Sequence, residues 1–321
     1  MRKENKKITF LVTGGAGFIG SNIVERLLKE GYKVKVLDNL ITGKIENIEE
    51  FFSNKNFKFI KGDIRDIDTC MKACEKVDYV LHEAALGSVP RSIKNPLLTN
   101  EINVSGTLNM LYSAKENNVK RFIYASSSSV YGDSLELPKK EGKEGNVLSP
   151  YAATKKINEI YADIFKKVYG LSVIGLRYFN VYGPKQDPNS IYSAVIPVFI
   201  NGIMENKQVT INGDGETSRD FTYVEDVVEA NINACLSNQN NSGNIYNIAY
   251  GGRITLNDLY FKISEILNSD IKPIYSETRK GDIKHSNADI TKAKNDLLYL
   301  PKFNIDLGLK KTIDWYIKKK N

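Results

Sequence analysis

A glycine-rich segment near the start of the chain limits the possible folds more than any other feature of the sequence. Residues 13–20 read Thr-Gly-Gly-Ala-Gly-Phe-Ile-Gly, with glycines at the second, fifth and eighth positions. An apolar run at residues 8–13 precedes this segment, and residues 17–29 carry apolar side chains at helical spacing. A strand that enters a helix through such a turn lets the backbone approach a pyrophosphate, which the first N–H groups of the helix bind. The segment therefore predicts a dinucleotide-binding turn.

Short apolar runs alternate with longer amphipathic stretches through the first half of the chain. Strands are predicted at residues 34–37, 57–60, 79–81, 122–125 and 172–176, with a late strand at 244–249 that returns to the same sheet. Further helices are predicted at residues 96–117, 151–169 and 227–236. This alternation is typical of an α/β fold, a doubly wound parallel sheet (Rossmann) with helices on both faces.

The regular rhythm breaks at about residue 180, where Gly, Pro and Asn become frequent. We predict that the remainder forms a smaller C-terminal lobe beside the sheet. The predicted division gives residues 1–180 with 221–250 to the sheet unit, and residues 181–220 with 251–321 to the lobe. No repeat or linker indicates a second independent domain.

The composition excludes several classes of protein. The chain has 321 residues, and 45 Lys+Arg against 38 Asp+Glu give a net charge of +7. Basic residues cluster only at residues 1–7 and 318–320, without a nucleic-acid signature, so we predict no nucleic-acid partner. No apolar run of about 18 residues is present, which predicts no membrane span. The charged start predicts no signal peptide.

Cysteine and histidine are too few to indicate a disulfide framework or a metal site. Cys70 and Cys74 are four residues apart on a predicted helix, but no third ligand lies near them, and Cys235 stands alone. We predict buried reduced thiols, a cytoplasmic protein and no metal. His82 and His285 have no paired acid or cysteine at ligand spacing, so both are predicted to be structural.

An acidic residue closes the second predicted strand and indicates the type of dinucleotide. Asp38 lies about 18 residues after the last glycine of the turn. A carboxylate there accepts hydrogen bonds from the adenosine ribose hydroxyls and repels a 2′-phosphate. The sequence therefore predicts NAD as the cofactor. Asp63, after the third strand, is placed to meet an adenine amino group, with a surface turn as the alternative.

A tyrosine and a lysine share one face of the predicted helix at residues 151–169. Tyr151 and Lys155 are four residues apart, and a nearby ammonium favours the phenolate of a tyrosine. Four serines at residues 126–129 follow a predicted strand, at the edge of the sheet where ligands bind. Tyr-x-x-x-Lys alone occurs by chance on many helices. The glycine turn and the serine run in the same chain favour an active site with a tyrosine base.

These segments resemble those of the extended short-chain dehydrogenases/reductases nearly from end to end. The similar motifs are TGGAGFIG, LDNL, HEAALGSVPRS, SSSSVYG, YAATK, RYFNVYGP, GDGETSRDF and RKGDIKHSNAD. Together they resemble those of the nucleotide-sugar epimerase family. The forms HEAALGSVPRS and RKGDIKHS are most similar to those of bacterial UDP-N-acetylglucosamine 4-epimerases.

The resemblance implies roles for individual residues. The catalytic residues would be Ser127, Tyr151 and Lys155. Together with Tyr151 and Lys155, the NAD-binding residues would be Gly14, Gly17, Phe18, Ile19, Gly20, Asp38, Asn39, Asp63, Ile64, Ala84, Ala85, Asn103, Tyr178 and Val181. Together with Ser127 and Tyr151, the UDP-sugar-binding residues would be Ser88, Ser128, Ser129, Asn180, Ala194, Arg219, Arg279, Asp282 and Ser286.

Two arginines in that set could instead form ordinary surface ion pairs. A planar guanidinium suits phosphate oxygens, so Arg219 and Arg279 fit the diphosphate of a UDP-sugar. Asp220 and Glu277 lie close to them in sequence, and ordinary surface ion pairs would explain both arginines as well. On the residues alone, both interpretations stay open.

The predicted reaction is NAD-dependent epimerisation at C4 of a UDP-hexose through a transient 4-keto sugar. In similar epimerases a bulky residue at the position of Ser286 disfavours N-acetyl groups, so this small residue predicts UDP-GlcNAc and UDP-GalNAc as preferred substrates. Alternatives are a UDP-glucose/UDP-galactose 4-epimerase, a UDP-glucuronate 4-epimerase or decarboxylase, and a non-catalytic NAD-binding scaffold. A 4,6-dehydratase would need an acid pair where Ser128 and Ser129 stand.

The resemblance also implies a homodimer and a role in carbohydrate metabolism and polysaccharide biosynthesis. The helices at residues 96–117 and 151–169 are the predicted contact between subunits. The sequence itself shows only that these helices are amphipathic, so they could equally pack within one chain.

Overall fold

A seven-stranded parallel sheet forms the centre of the protein. The computed structural model describes residues 8–188, 194–277 and 284–320. The strands are β1 (Thr9–Thr13), β2 (Lys33–Asp38), β3 (Phe57–Lys61), β4 (Tyr79–His82), β5 (Arg121–Ser127), β6 (Val173–Tyr178) and β7 (Ile245–Ile248). Their order is β7-β6-β5-β4-β1-β2-β3, and every neighbouring pair is parallel. The predicted doubly wound sheet is confirmed, including the late strand that returns to it.

Helices cover both faces of this sheet and build the rest of the chain. They are α1 (Phe18–Lys29), α2 (Ile67–Cys74), α3 (Val89–Lys94), α4 (Pro96–Asn100), α5 (Gly106–Glu116), α6 (Pro150–Tyr169), α7 (Val195–Met204), α8 (Val224–Leu236), α9 (Leu256–Ile266), α10 (Thr291–Leu297) and α11 (Ile305–Lys320). Short strands outside the main sheet are Val181–Tyr182, Thr210–Asn212, Ser218–Arg219, Thr222–Tyr223, Ile254–Thr255, Ile274–Ser276 and His285–Ser286. None of the helices in the described ranges is long and apolar enough to cross a bilayer.

The first strand shows how the sequence builds two apolar layers. Successive side chains of a strand point to opposite faces of the sheet. Phe10 and Val12 pack with α1 and α8 on one face, while Leu11 packs with α2 and α5 on the other. All three side chains are fully buried. A strand buried on both faces needs a continuous apolar run, which is the pattern that residues 8–13 carry.

The helix α6 is fixed at both ends by local sequence. Ser149 caps its start, since its hydroxyl accepts a hydrogen bond from the Ala152 amide, and Pro150 occupies the first turn. Gly170 ends it in the left-handed conformation with a φ of 72°. These signals place Tyr151 at the start of the helix, beside the carboxyl edge of the sheet.

The predicted helix at residues 96–117 is interrupted. Residues Glu101–Ser105 form a π-helical segment between α4 and α5. Side chains account for the bulge, because the amide of Asn103 bonds the backbone of Leu86 while the carbonyl of Asn103 accepts from Thr107. Such a bulge re-aims a side chain and is frequent near functional sites. Helical periodicity alone does not show this interruption.

A third apolar cluster lies outside the sheet. It joins residues of α7, α9 and α11 with Tyr182, Phe221 and Tyr223. The cluster agrees with a C-terminal lobe that packs around its own core. The division at residues 180/181, 220/221 and 250/251 stays our prediction.

Candidate active site

A cavity opens where the order of the strands reverses. From β1 the chain winds outward through β2 and β3, then crosses back so that β4 lies on the other side of β1. A ligand crevice forms at the carboxyl ends of the strands at such a switch point. Here the crevice is a cavity of about 460 Å³ that runs from the glycine turn to α6.

The glycine turn requires residues without side chains at two positions. Gly14 has a φ of +67°, and a Cβ there would lie 2.8 Å from backbone atoms of Ala84. A Cβ on Gly20 would lie 2.2 Å from the carbonyl oxygen of Gly14. Gly17, the residue before α1, provides no side-chain cap, so the first amides of the helix remain available to an anion.

Asp38 ends β2 at the far wall of the cavity and is 7% exposed. Its carboxylate accepts hydrogen bonds from the backbone amides of Ala16, at 2.9 Å, and Leu40, at 2.8 Å. Burial raises the pKa of Asp38, and these two hydrogen bonds oppose that rise. A carboxylate accepts about four hydrogen bonds, so it keeps capacity for two ribose hydroxyls. The glycine cradle and Asp38 thus fit a dinucleotide such as NAD.

Most residues predicted to bind the cofactor line this one cavity. They are Gly14, Gly17, Phe18, Ile19, Gly20, Asp38, Asn39, Ile64, Ala84, Ala85, Tyr151, Lys155, Tyr178 and Val181.

Asp63 and Asn103 are not among the residues that line the cavity, because neighbouring groups use their side chains. Asp63 forms an ion pair with Arg65 at 2.8 Å and accepts a hydrogen bond from Asn39, which lowers its pKa to about 2. Asn103 is fully buried. Its side-chain amide accepts a hydrogen bond from the Leu86 N–H and donates one to the Leu86 carbonyl. The structure gives both residues a supporting position behind the cavity wall.

The three predicted catalytic residues meet at the opposite end of the same cavity. The Ser127 hydroxyl hydrogen-bonds the Tyr151 phenol. The Lys155 ammonium lies 5.9 Å from the centroid of the Tyr151 ring and donates to the carbonyl oxygen of Ala125 at 2.7 Å. Ser127, Tyr151 and Lys155 all line the cavity. This is the arrangement of a tyrosine base with a hydroxyl partner and a nearby cation.

Burial changes the acidity of this group in a direction that the sequence did not indicate. We expected the ammonium of Lys155 to favour the Tyr151 phenolate. In the structure burial raises the pKa of Tyr151, the Ser127 hydrogen bond lowers it, and the Glu83 carboxylate raises it. Burial lowers the pKa of Lys155 to about 8, against the effect of Glu83 and Glu159. The effect of Lys155 on the phenolate stays a prediction, because desolvation here disfavours both charged forms.

A second cavity of about 310 Å³ continues from the first into the C-terminal lobe. The two share Asn180 and Val181 in their walls. Ala194 and Arg219 line the second cavity, as expected for substrate-binding positions. The Arg219 guanidinium donates to the backbone carbonyls of Ser218, at 3.0 Å, and Lys284, at 3.3 Å.

The carboxylate of Asp220, the neighbour of Arg219, has partners of its own. It is fully buried and accepts from the backbone amides of Tyr250, Gly251 and Ala288. These bonds tie the strand that carries Arg219 to two returning loops. The Asp220 carboxylate therefore has a structural role, binding three backbone amides, that does not depend on Arg219.

The remaining predicted substrate-binding residues divide into two groups. Ser88, Ser128, Ser129 and Ser286 lie outside the walls of both cavities, although Ser286 pairs with Arg219 in a small three-stranded mixed sheet. The hydroxyl of Ser88 instead caps α3, where it accepts from the Arg91 amide at 3.2 Å. The predicted positions Arg279 and Asp282 lie outside the described residues.

The histidines and cysteines have structural surroundings. His82 is buried between the hydroxyls of Thr13 and Thr107, and burial lowers its pKa to about 3. His285 contacts the Ser218 hydroxyl at 2.8 Å. Cys70, Cys74 and Cys235 are free and buried. Within residues 8–188, 194–277 and 284–320 we found no cluster of three potential metal ligands.

One acidic cavity residue was missed by the sequence analysis. Glu83 follows β4 and lines the cavity between the glycine turn and the catalytic group. It accepts a hydrogen bond of 2.8 Å from the Tyr178 hydroxyl. An isolated acid in the segment His-Glu-Ala-Ala carries no spacing signal. Its position after a buried strand, at the carboxyl edge of the sheet, is the only indication in the sequence.

Comparison with known proteins agrees with this geometry. The NAD dependent epimerase/dehydratase family matches residues 10–249. The UDP-glucose 4-epimerase of Mycolicibacterium smegmatis is 34% identical over 311 residues, which cover 96% of this chain and 98% of that protein.

Two solved structures have the same fold over nearly the whole chain. The UDP-N-acetylglucosamine 4-epimerase of Methanobrevibacter ruminantium, in complex with UDP-N-acetylmuramic acid, is 42% identical with a TM-score of 0.93 and covers 98% of this chain and 99% of its own. The UDP-glucuronic acid 4-epimerase of Bacillus cereus, in complex with UDP-glucuronic acid and NAD, is 32% identical with a TM-score of 0.91. That pair covers 98% of this chain and 100% of the Bacillus chain.

Proposed function

This chain belongs to the NAD dependent epimerase/dehydratase family, and we propose that it inverts C4 of UDP-hexoses, preferentially UDP-GlcNAc and UDP-GalNAc. The observation that carries the proposal is the placement of Ser127, Tyr151 and Lys155 in one cavity, which continues into a second cavity with Arg219. The first cavity fits the dinucleotide and the second has room for the UDP part of a substrate. The sugar ring would then lie at their junction, beside Asn180.

The protein residues would supply proton transfer and anchoring. Tyr151 would remove the proton of the C4 hydroxyl and later return it, with the Ser127 hydroxyl as its hydrogen-bond partner. Lys155 would stabilise the phenolate once substrate and cofactor fill the cavity. Bound NAD supplies the redox chemistry, as acceptor and then donor of the C4 hydride. Arg219 would hold the diphosphate while the 4-keto sugar turns its other face to the same site.

Charges in the first cavity favour a neutral hexose over a hexuronate. Among its described lining residues the charged groups are Asp38, Glu83 and Lys155. Asp38 lies at the end of the cavity that would hold the adenosine. Glu83 and Lys155 are therefore the charged residues near Tyr151. Lys155 already faces the charge of Glu83, so these lining residues offer no further cation for a glucuronate carboxylate. UDP-glucuronate epimerisation or decarboxylation is therefore the weaker candidate.

Two further alternatives lack support in the same site. The serine loop presents Ser128 and Ser129 where a 4,6-dehydratase would need an acid pair. A non-catalytic scaffold has no physical need for a tyrosine, a serine and a lysine that converge in one cavity.

A substrate panel tests the proposal. The purified protein, without added NAD, would be incubated separately with UDP-GlcNAc, UDP-GalNAc, UDP-Glc, UDP-Gal and UDP-glucuronate, and each product followed by NMR. We expect interconversion of the two N-acetylated sugars, slower interconversion of the plain hexoses and none of the glucuronate. Activity on UDP-Gal without activity on UDP-GalNAc would contradict the proposed preference.

Ser286→Tyr should reduce the rates with N-acetylated substrates selectively. Ser286 pairs with Arg219 in the small sheet, and in similar epimerases a bulky residue at this position disfavours N-acetyl groups. We expect at least a tenfold fall in kcat/KM for UDP-GlcNAc, about 1.4 kcal/mol, with a much smaller change for UDP-Glc. Ser286→Ala is the matched control and should leave the ratio of the two rates unchanged. An equal loss on both substrates would contradict the argument.

The same helices that form the site support a proposed homodimer. On α6 the exposed residues Ile160, Ile164 and Val168 follow one another at intervals of four and share a face. Leu97 on α4 and Tyr112 on α5 add exposed apolar surface. We propose that a second copy covers these residues in a helix bundle. A cytoplasmic location, supported by the three free thiols, and a role in polysaccharide biosynthesis complete the proposal.

A further inference from the structure

Glu83 is a cavity-lining acid for which the proposed reaction has no assigned use. It stands at the end of β4, next to the strand that carries Ser127, and it lines the cavity together with Tyr151 and Lys155. A carboxyl group in such a place is normally avoided, because burial disfavours its charged form. Burial raises the pKa of Glu83 to about 7, while the Tyr178 hydrogen bond and the charge of Lys155 oppose the rise. A group that loses solvation in this way needs a compensating role.

A hydrogen-bond chain holds the Glu83 carboxylate in place. The Tyr178 hydroxyl donates to Glu83 at 2.8 Å and accepts from the Asn231 side-chain amide at 2.8 Å. Asn231 is fully buried on α8, and its amide also donates to the Val227 carbonyl. The chain therefore runs from a helix on one face of the sheet, through β6, to the cavity. The Glu83 carboxylate is the last group of this chain, an acceptor held in the cavity that Tyr151 and Lys155 also line.

Three ionisable groups from two other elements face Glu83. Lys155 and Tyr151 on α6 line the same cavity as Glu83, and Tyr178 on β6 donates a hydrogen bond to it. Glu83 raises the pKa of Lys155 and that of Tyr151. On its own strand, His82 bonds Thr13 and Thr107 and stays neutral at physiological pH. The one further acid that acts on Lys155 is Glu159, one turn along α6.

We propose that Glu83 is a positioning residue of this site, whose carboxylate keeps Lys155 charged and holds Tyr178 against the cavity. Lys155 is 4% exposed, and its hydrogen bond to the Ala125 carbonyl is available to the neutral amine as well as to the ammonium. Without a nearby carboxylate, burial would favour the neutral amine, which stabilises a phenolate much less. Glu159 provides less of this support, because it forms a two-point ion pair with Arg177. The catalytic use of Lys155 in this inference rests on the proposed function.

The variant Glu83→Gln separates charge from hydrogen bonding. Its amide oxygen still accepts from Tyr178, but the negative charge is gone. Without this negative charge, Lys155 and Tyr151 lose their protons more readily, so the pKa values of both groups should fall. We expect that of Lys155 to fall by about one unit, and the pH range of kcat to move to lower pH by a similar amount.

The test combines a direct titration with a pH profile. The full-length protein, as purified, would be labelled with ¹³Cε-lysine and titrated by NMR, with the Lys155 signal assigned by its loss in Lys155→Met. Glu101→Gln makes the same chemical change at an exposed residue that pairs with Arg65, and should leave the Lys155 titration unchanged. Glu83→Asp retains the charge and should keep the Lys155 pKa close to that of the native protein.

The outcomes separate this inference from the proposed function. A Lys155 titration in Glu83→Gln equal to that of the native protein would overturn the inference, as would an equal fall in Glu83→Asp. A lower kcat in Glu83→Gln without any movement of the pH profile would indicate a structural role alone and also overturn it. A native protein that inverts no UDP-hexose would refute the proposed function, and the Lys155 titration would still decide whether Glu83 keeps that lysine charged.

Discussion

Tyr151→Phe is expected to lower kcat for C4 inversion by about 10²- to 10⁴-fold, the range typical of a lost acid–base group. The substitution removes only the hydroxyl that the Ser127 side chain contacts, at the end of a cavity that is otherwise unchanged. KM for the UDP-sugar should change little, because Arg219, the proposed anchor of the diphosphate, lies in the second cavity. Steady-state kinetics with the preferred substrate would measure both values.

The control for this variant lies on the same helix. Tyr169 ends α6, far along the helix from the cavity, and is 53% exposed. Tyr169→Phe makes the same chemical change and should leave kcat within twofold of the native value. A Tyr151→Phe protein that keeps more than a tenth of the native kcat would show that another group is the base.

Glu159→Leu is expected to destabilise the fold by about 3–5 kcal/mol, the usual cost of removing one partner of a buried ion pair. Both carboxylate oxygens of Glu159 accept from Arg177, each at 2.8 Å, and one also accepts from the Ser126 hydroxyl at 2.7 Å. Glu159 is 4% exposed and Arg177 is 2% exposed. Of the acids in the described part of the chain that pair with this buried guanidinium, the change would leave Glu144 alone.

This ion pair also joins α6, which carries the proposed catalytic residues Tyr151 and Lys155, to the sheet. Glu159 on α6 joins Ser126 at the end of β5 to Arg177 on β6. Denaturant unfolding would give the change in the free energy of unfolding. Asp163→Leu, which breaks the exposed pair with Lys167 on the same helix, should cost no more than about 1 kcal/mol.

A double variant checks the physical reason for this effect. If the cost arises from an uncompensated charge, Glu159→Leu with Arg177→Met should be more stable than Glu159→Leu alone. A single variant within about 1 kcal/mol of the native protein would contradict the assigned role of the pair.

The sheet and the dinucleotide turn could be predicted because local sequence determines them. Residues 8–13 are apolar on both faces, and Gly14 and Gly20 stand where a Cβ would collide with backbone. The order of the strands follows from the alternation of strands and helices together with the preference for short right-handed crossovers. The helical spacing indicated Tyr151 and Lys155 and the serine run indicated a hydroxyl partner, while the choice of Ser127 and the catalytic roles came from the resemblance and stay predictions.

The properties that depend on neighbours from distant parts of the chain could not be predicted. The direction of the Tyr151 pKa depends on burial and on Glu83, which is 68 residues earlier in the sequence. The π-helical segment depends on the bond between Asn103 and Leu86. The partners of Asp63 are also set by the fold, since Arg65 and Asn39 engage its carboxylate, and its predicted place at the adenine stays a prediction.

In the proposed C4 inversion, the hydride removed from C4 returns to C4 of the same sugar. UDP-GlcNAc with deuterium at C4 would be incubated with the purified protein in ordinary water, without added NAD, and the UDP-GalNAc formed would be examined by NMR and mass spectrometry. We predict inverted product that retains the deuterium at C4, because Tyr151 exchanges only the hydroxyl proton with solvent. Product with hydrogen from water at C4, or no inversion at all, would contradict the proposed C4 inversion with return of the hydride.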